Sequence, residues 1–362
     1  MKILALRVLA WDITSRLPQR IDFIKERLTE FTFYDEINIS PVRALGYYLG
    51  YIIGFILTIP RLLRKKYDIL LVENAYLVVF GVFSRLSKRK VIAEYVDYYP
   101  DMLQRIYLTR RLRFYVAVML CRIFSKLANS VIVETQLSKK IVIRLGISPS
   151  KIRVIRQSPD QSFLKRTVSG NLRKTLKIGE DEFIVGYLGK FTPHYGLELI
   201  PHAVGIAQEK TKRKLTLLMI GDGVLLPEIK NLATQYNVER ATFTGRVPFR
   251  EVTKYYSIFD ALLYTPDTAS GIKLAEAMVI GVPPIVSAGY AAEVVKDGIN
   301  GFVTKARTPD GYAEKIIEVE QLSGQEISNV VNRVKKYAFD RFVLAYRQYL
   351  HLFNGVYGIA DD

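Results

Sequence analysis

Short apolar runs alternate with helical patterns along the whole chain, and this alternation is what most constrains the fold. The runs lie at 2–10, 67–73, 90–96, 130–135, 182–189, 214–223, 241–247, 260–266 and 283–288. Continuous apolar runs of this length predict strands that are buried on both faces, as in parallel sheets. Because helical stretches separate the runs, the pattern predicts doubly wound α/β sheets.

The 362 residues are too many for one small core and suggest two domains. The two series of apolar runs place a Rossmann-like domain at 1–165 and a second one at 175–335. The boundary is expected within 157–174, which is polar and rich in turn residues. A final helix at about 340–362 is expected to pack back on the first domain.

The positive charge is concentrated in the first half of the chain. Residues 1–170 contain 29 Lys and Arg against 13 Asp and Glu, whereas residues 171–362 contain 23 against 22. This asymmetry favours an anionic partner for the first half only. The single cysteine, Cys121, excludes an internal disulfide, and three scattered histidines give no convincing metal cluster. Residues 1–20 contain no small-residue cleavage site, so a signal peptide is not expected.

Two stretches of the first half are candidates for membrane contact. Residues 44–60 carry no charge, yet at ~1.5 Å per residue they fall short of a bilayer core of ~30 Å. A core helix is favoured there over a membrane-surface helix or a span. Residues 105–127 mix basic, aromatic and aliphatic side chains, which suits an amphipathic helix on anionic lipid as well as a solvated surface helix. The basic residues proposed for this contact are Arg110, Arg111 and Arg113.

Two strand-to-helix loops of the second half are candidates for binding phosphate. The strand at 182–189 ends at Gly189, and Lys190 follows it. Glycine lets backbone amides approach a phosphate, and lysine adds a point charge. Gly221, in a Gly-Asp-Gly turn, follows the next strand, and Gly245 and Val247 could offer main-chain groups to a nucleobase.

The stretch 270–281, "SGIKLAEAMVIG", predicts a helix from about Gly271 to Ile280 that ends at Gly281. Ser270 is the expected N-cap. The amides of Gly271, Ile272 and Lys273 have no partner within a helix, so they form an anion seat with the helix dipole. Lys273 and Glu276 share a face. A diphosphate is expected on the amides and Lys273, and ribose hydroxyls on Glu276; a simple surface ion pair is the alternative.

The order of these motifs resembles the nucleotide-binding domain of retaining GT-B glycosyltransferases of family 4, the glycogen-synthase-like group. The resemblance covers about 180–305 and rests on "GK…PHYG", "IGDG", "FTGRV", "FDALLYTP", "SGIKLAEAMVIGVPP" and "AAEVVKDGINGFV". It implies a GT-B fold in which the C-terminal domain binds a nucleotide-sugar and the N-terminal domain presents the acceptor. The first half fits more loosely, and its segment 11–28 supplies the weaker acceptor candidates Arg16 and Gln19.

The chain departs from the family pattern at two positions. The family's Glu-x7-Glu places its second glutamate at Glu276, but its first at Thr268. Its paired basic residues fall at Lys190 and Tyr195, of which only the lysine fits. Asp97 lies where such enzymes place a residue facing the donor sugar, although a core-capping role is equally open.

The resemblance implies transfer of a hexose-type sugar with retention at the anomeric carbon. No metal or cofactor is required, since Lys190, Lys273 and the helix amides would stabilise the leaving diphosphate. The basic first half favours a lipid-linked or polyprenyl-phosphate-linked glycan acceptor, with peripheral attachment to the cytoplasmic face of the membrane.

Two other classes of function stay open at this point. One is a GT-B sugar-nucleotide epimerase, and the other is a basic binding protein without catalytic activity. Nucleic acid is not expected as a partner, because no helix-turn-helix, zinc or RNA-recognition motif is found.

Overall fold

A computed structural model describes residues 2–8, 32–39, 68–73, 90–95, 125–156, 171–266, 271–289 and 291–357, with isolated positions at 53, 57, 60, 115, 118–119, 122–123, 159 and 163. The chain divides into two compact units. One unit comprises Met1–Gln157 with Val343–Asp362, and the other comprises Ser158–Phe342.

The first unit contains a six-stranded parallel sheet in the order β2-β1-β3-β4-β5-β6. Its strands are β1 Lys2–Val8, β2 Thr32–Ile39, β3 Ile69–Glu73, β4 Lys90–Tyr95, β5 Ser130–Val133 and β6 Ile152–Val154. Four of them match the apolar runs, and the described side chains of β3 and β5 are all buried, as expected for central strands. β2 was not predicted, because "TFYDEINI" interrupts its apolar residues with polar ones at the sheet edge.

The second unit contains another six-stranded parallel sheet, in the order β12-β11-β10-β7-β8-β9. Its strands are β7 Phe183–Leu188, β8 Leu215–Ile220, β9 Ala241–Gly245, β10 Ala261–Tyr264, β11 Pro284–Ser287 and β12 Phe302–Thr304. Five of these strands match the predicted runs, and the three-residue edge strand β12 is too short to give a pattern. The two sheets confirm the expected α/β fold with two Rossmann-like domains.

Helices connect these strands. In chain order they are α1 Gln136–Arg144, α2 Leu172–Thr175, α3 Leu199–Gln208, α4 Leu226–Gln235, α5 Val252–Tyr256, α6 Ile272–Ile280, α7 Pro309–Gln321 and α8 Gly324–Tyr357. α7 packs against α3. α3 is the first α-helix after β7, and α7 follows β12.

Polar contacts link neighbouring segments at the other end of the second sheet, where the strands β7 and β10 begin. Asp260 accepts hydrogen bonds from the Ile184 amide at 2.7 Å and from Arg173 at 3.1 Å. Burial raises the pKa of the Asp260 carboxyl, while these bonds act against the shift. Asp260 thus orders the chain just before β10 and takes no part in the candidate site.

The helix α8 belongs to both units. Its residues up to Phe342 lie in the second unit, and those from Val343 lie in the first. In the first unit the Tyr349 hydroxyl donates a hydrogen bond to Oε1 of Glu94 at 3.0 Å, and Leu352 and Phe353 are buried. The last turns of α8 therefore complete the core beside β4.

The two stretches considered for membrane contact are described only in part. Ile53, Leu57 and Pro60 are the described residues of 44–60. Within 105–127 the described positions from Tyr115 to Leu127 are helical, with Tyr115, Met119 and Ile123 exposed at four-residue spacing. No helix among the described residues combines the length and apolarity that crossing a bilayer requires.

Candidate functional site

A pocket lies at the edge of the second sheet where β7 and β10 end. Carboxyl ends of neighbouring parallel strands are where open α/β sheets bind ligands. The pocket is lined by Tyr187, Leu188, Gly189, Lys190, Tyr195, Leu262, Leu263, Tyr264, Pro266, Ile272 and Lys273. Five of the predicted donor residues, Gly189, Lys190, Tyr195, Ile272 and Lys273, therefore meet at one pocket.

The loop after β7 places Gly189 and Lys190 at the mouth of the pocket. The buried Tyr187 hydroxyl donates to the Lys190 carbonyl at 2.9 Å, and burial raises its pKa well above the usual value, so it stays protonated. The Lys190 side chain is exposed. Tyr187 thus fixes the main chain of the loop, while the lysine side chain extends into solvent.

Gly221 makes a close approach of main chains possible beside this loop. Its φ is +131°, and a Cβ at this position would overlap the carbonyl oxygen of Gly189. Its amide donates to the carbonyl of Gly245 at 2.9 Å. Gly221 therefore fits tightly between the ends of β7 and β9. Val247 is half-buried and packs against the core.

The helix α6 begins next to the pocket, one residue later than the sequence suggested. Its first internal hydrogen bond runs from the Ala275 amide to the Gly271 carbonyl at 2.9 Å, which makes Gly271 the N-cap. The prediction that Ser270 is the N-cap is therefore wrong, because the helical turn closes on Gly271. Gly281 ends the helix in the left-handed region at φ +101°, as predicted.

Lys273 and Glu276 form an ion pair, but it is not a surface pair. The Lys273 ammonium lies 3.0 Å from Oε2 of Glu276. The lysine side chain is 33% exposed and the glutamate side chain is 0% exposed. A carboxylate so deeply buried requires compensation by charges and hydrogen bonds. The pair thus points its cation outward and holds its carboxylate inside.

Tyr256, on α5, is the second partner of this carboxylate. Its hydroxyl lies 3.2 Å from Oε2 of Glu276 and 3.3 Å from the Lys273 carbonyl. Complete burial and the neighbouring Glu276 raise the Tyr256 pKa well above the usual value, so the hydroxyl stays a donor. No pattern could reveal this role, since the contact joins two separate helices.

The other oxygen of Glu276, Oε1, is buried and has no hydrogen-bond partner among the described residues. Buried polar atoms without partners are uncommon in folded proteins, and each one calls for a structural or functional explanation. Thr265, which follows β10, also has a buried hydroxyl oxygen without a described partner. One unsatisfied oxygen therefore lies just after β10, and the other lies within α6.

Tyr195 lies in the pocket but supplies no positive charge. Its side chain is half-buried and packs against the hydrophobic core. Gly196 follows with φ +64°. At the second position of the family's paired basic residues, this loop therefore carries an uncharged tyrosine in place of a cation.

Several candidates lie outside the described residues. Thr268 and Ser270 belong to the segment between β10 and α6 that is not described. The candidates of the first unit that also lie outside the described residues are Asp97, Arg16, Gln19, Arg110, Arg111 and Arg113. Among the residues that are described, no three His, Cys, Asp or Glu side chains group as metal ligands.

Family models match both halves of the chain. The model described as Glycosyl transferases group 1 matches residues 168–341, and that described as Glycosyltransferase Family 4 matches residues 22–160. The chain belongs to the GT-B glycosyltransferases of the family 4 type. The first model includes the whole pocket, so the residues around Lys273 and Glu276 lie in the part of the chain that this family shares.

A relative supports the same membership over a shorter length. An uncharacterised glycosyltransferase of Methanocaldococcus jannaschii is 25% identical over 205 residues, which cover 54% of this chain and 56% of that protein. The match thus spans little more than half the length of this relative.

Solved structures share the GT-B fold with this family member over nearly its whole length. HepE of Anabaena, in complex with UDP, has a TM-score of 0.76 at 19% identity and covers 98% of this chain and 100% of its own. HepE has also been solved with UDP-glucose. Sucrose-phosphate synthase of Thermosynechococcus elongatus has a TM-score of 0.80 at 16% identity, and the match covers 99% of this chain and 100% of the synthase chain. At these identities the similarity shows the fold alone.

Proposed function

We propose that this protein transfers a hexose from a nucleoside diphosphate sugar to an acceptor, with retention at the anomeric carbon. The buried Oε1 of Glu276 is the observation that carries the proposal. A ribose hydroxyl that donates to this oxygen would satisfy it, while Lys273 and Tyr256 hold the carboxylate in place through Oε2. The complex of HepE with UDP-glucose supports a donor of this class.

The diphosphate is proposed to bind at the start of α6. The amides of Gly271, Ile272 and Lys273 have no partner within the helix, and the helix dipole favours an anion there. Lys273 points its partly exposed ammonium outward from the carboxylate beneath it, and Lys190, in the loop after β7, lines the same pocket. Two cationic residues and a helix terminus thus border one pocket.

The proposed chemistry needs only positioning and charge stabilisation. The acceptor hydroxyl forms a bond to the anomeric carbon on the face that the diphosphate leaves, and the bond between that carbon and the phosphate oxygen breaks. The departing phosphate oxygen takes the proton of the acceptor hydroxyl. Lys190, Lys273 and the amides stabilise the negative charge that develops on the diphosphate. No metal ion takes part in this scheme.

The acceptor is proposed to be a lipid-linked glycan at an anionic membrane surface. The excess of 29 basic over 13 acidic residues in 1–170 supports this, since anionic lipid attracts such a surface. Tyr115, Met119 and Ile123 form an exposed apolar row on a helical segment that also carries the exposed Arg122. An apolar row next to basic side chains is the pattern of helices that lie in the membrane interface.

Thermal denaturation with a panel of nucleotide-sugars and nucleoside diphosphates tests the donor. We expect the nucleotides of one nucleobase to raise the melting temperature of the wild type. Glu276→Gln and Lys273→Ala are expected to reduce that rise. The matched controls are Lys315→Ala and Glu318→Gln, because this pair has the same i,i+3 spacing at 2.8 Å but lies on α7, outside the pocket lining, with its glutamate side chain 45% exposed. The controls should respond like the wild type. A wild-type protein that no nucleotide stabilises would contradict the proposal.

Flotation with liposomes tests the membrane part separately. Binding is expected to vesicles that contain anionic lipid and to be weaker to neutral vesicles. Exchange of Arg111 and Arg113 for serine should weaken binding, whereas the same exchange at the exposed Lys210 and Lys212 of the second unit should not. Equal binding to both kinds of vesicle, or none, would exclude the charge-based explanation.

A further inference from the structure

Arg307 lies beside the candidate site, and neither the motif pattern nor the pocket lining includes it. It precedes α7, in the loop that follows the edge strand β12. Its Nε donates a hydrogen bond to the Thr265 carbonyl, at the end of β10, at 3.1 Å. The side chain therefore reaches from β12 across the end of β11 to the strand next to the pocket.

The guanidinium also packs over the loop that follows β7. A Cβ on Gly196 would overlap Nη2 of Arg307 and would lie 2.9 Å from its Cζ. The absence of a side chain at Gly196 thus makes room for the guanidinium group. Gly196 directly follows Tyr195, the position where the family pattern has a basic residue and this chain has none.

The loop that carries Arg307 is held in place by its own hydrogen bonds. The Thr304 hydroxyl donates to the Ala306 carbonyl at 2.7 Å. The Thr308 hydroxyl accepts from the Gly311 amide at 3.2 Å and caps α7. Bonds on both sides of Arg307 therefore position its side chain before any ligand binds.

The charge of Arg307 is not compensated within the described part of the chain. No described carboxylate lies within ion-pair distance of it, whereas Arg173 pairs with Asp260 and Arg240 with Glu182. Arg307 also adjoins the N-terminus of α7, where the helix dipole disfavours a cation. The neighbouring Thr265 hydroxyl oxygen is buried without a partner. A cation held in this position suits an anionic ligand.

We infer that Arg307 binds the diphosphate of the donor and supplies the second cation that Tyr195 does not. This inference rests on the proposed function, because it concerns the same pocket. The guanidinium offers the planar donor groups that match phosphate oxygens. Arg307 would reach the phosphate from the β12 side, facing Lys190 on the same loop as Gly196.

Calorimetry with nucleoside diphosphates and the matching monophosphates tests the inference on the full chain. UDP, GDP, ADP and CDP are compared on the wild type, and the tightest binder is used further. For Arg307→Gln we expect affinity for the diphosphate to fall by about 10- to 100-fold, the range for a charge-assisted hydrogen bond. Affinity for the monophosphate should change less than about threefold, since the inferred contact is to the second phosphate.

The exposed Lys305 of the same loop provides the control, and Lys305→Ala should bind like the wild type. Equal losses for diphosphate and monophosphate, or no loss in Arg307→Gln, would overturn the inference while leaving the proposed function intact. If the wild type binds none of the four diphosphates, the proposed function itself fails.

Discussion

The ammonium of Lys273 lies 3.0 Å from Oε2 of Glu276, whose Oε1 is buried and has no hydrogen-bond partner among the described residues. One carboxylate thus has a satisfied oxygen and an unsatisfied oxygen. A purely structural ion pair would gain from satisfying both oxygens. The unsatisfied oxygen is the one that the proposed contact with a ribose hydroxyl would satisfy.

Tyr256→Phe removes the hydroxyl that donates to Glu276 and keeps the ring contacts with Phe163 and Phe259. The buried carboxylate then loses one of its two partners, so we expect a loss of about 1–3 kcal/mol in the free energy of unfolding. Urea denaturation measures it. The half-buried neighbour Tyr255 serves as control, and Tyr255→Phe should change stability by less than about 0.5 kcal/mol.

Gly221→Ala is expected to disturb the pocket that Gly189 lines as well as the fold. A Cβ at φ +131° would overlap the Gly189 carbonyl oxygen, and main chain must move to relieve it. Gly245→Ala is the comparison, because φ is +69° there but nothing lies within 4 Å of the new Cβ. Gly245→Ala should lower the free energy of unfolding by about 1–2 kcal/mol, the strain of a residue with a Cβ in the left-handed region. Denaturation should rank Gly221→Ala as the more destabilising, and a reversed order would refute this account of Gly221.

Gly281→Ala is expected to destabilise the end of α6. Glycine is required there by φ +101°, and the Cβ would overlap Cε of Lys335 and lie 3.1 Å from Val331 on α8. The strain of a left-handed alanine is about 1–2 kcal/mol. Gly324→Ala, where the Cβ meets open space, should be neutral or slightly stabilising. Similar melting temperatures for the two variants would contradict the prediction.

Glu182 is expected to contribute to stability in a pH-dependent way. Burial alone would raise its pKa, but bonds from Thr216 and the Gly179 amide, with the charge of Arg240, outweigh burial and lower the pKa below 4.5. A lowered pKa in the folded state gives stability that is present above pH 4.5 and is lost as the pH falls below it.

Thermal denaturation of Glu182→Gln and the wild type, from pH 7 to pH 3, checks this prediction. The difference in melting temperature should be largest near neutral pH and should shrink below pH 4.5. A difference that stays constant over this range would show that the carboxylate charge does not matter. Glu318→Gln, which changes a carboxylate that is 45% exposed on α7, provides the control for a general effect of charge.

Sequence patterns predicted the central strands because each one is a continuous apolar run, as Ile69–Glu73 and Phe183–Leu188 show. The edge strands β2 and β12 were not predicted. Polar residues interrupt the apolar residues of β2, and β12 is only three residues long. The same limit applies within the site. Local spacing reveals Lys273 and Glu276, which are three residues apart on one helix.

Contacts between distant segments could not be predicted in this way. Tyr256 reaches Glu276 across 20 residues, and Arg307 reaches Thr265 across 42. Both contacts depend on how strands and helices pack around the sheet edge, and neither leaves a periodic signal in the chain. The N-cap at Gly271 differs from the expected Ser270 for a related reason, because the φ and ψ angles decide where a helical turn closes.

The path of α8 has a consequence for the order of events during synthesis. Tyr349 bonds to Glu94 although 255 residues separate them, and Leu352 and Phe353 fill the same core. Since domains generally fold as units while the chain emerges, the first unit must wait for its last turns until the whole second unit has left the ribosome. The core of the nascent first unit is therefore incomplete for most of translation, and a chain that stops near Phe342 would lack the residues that complete it.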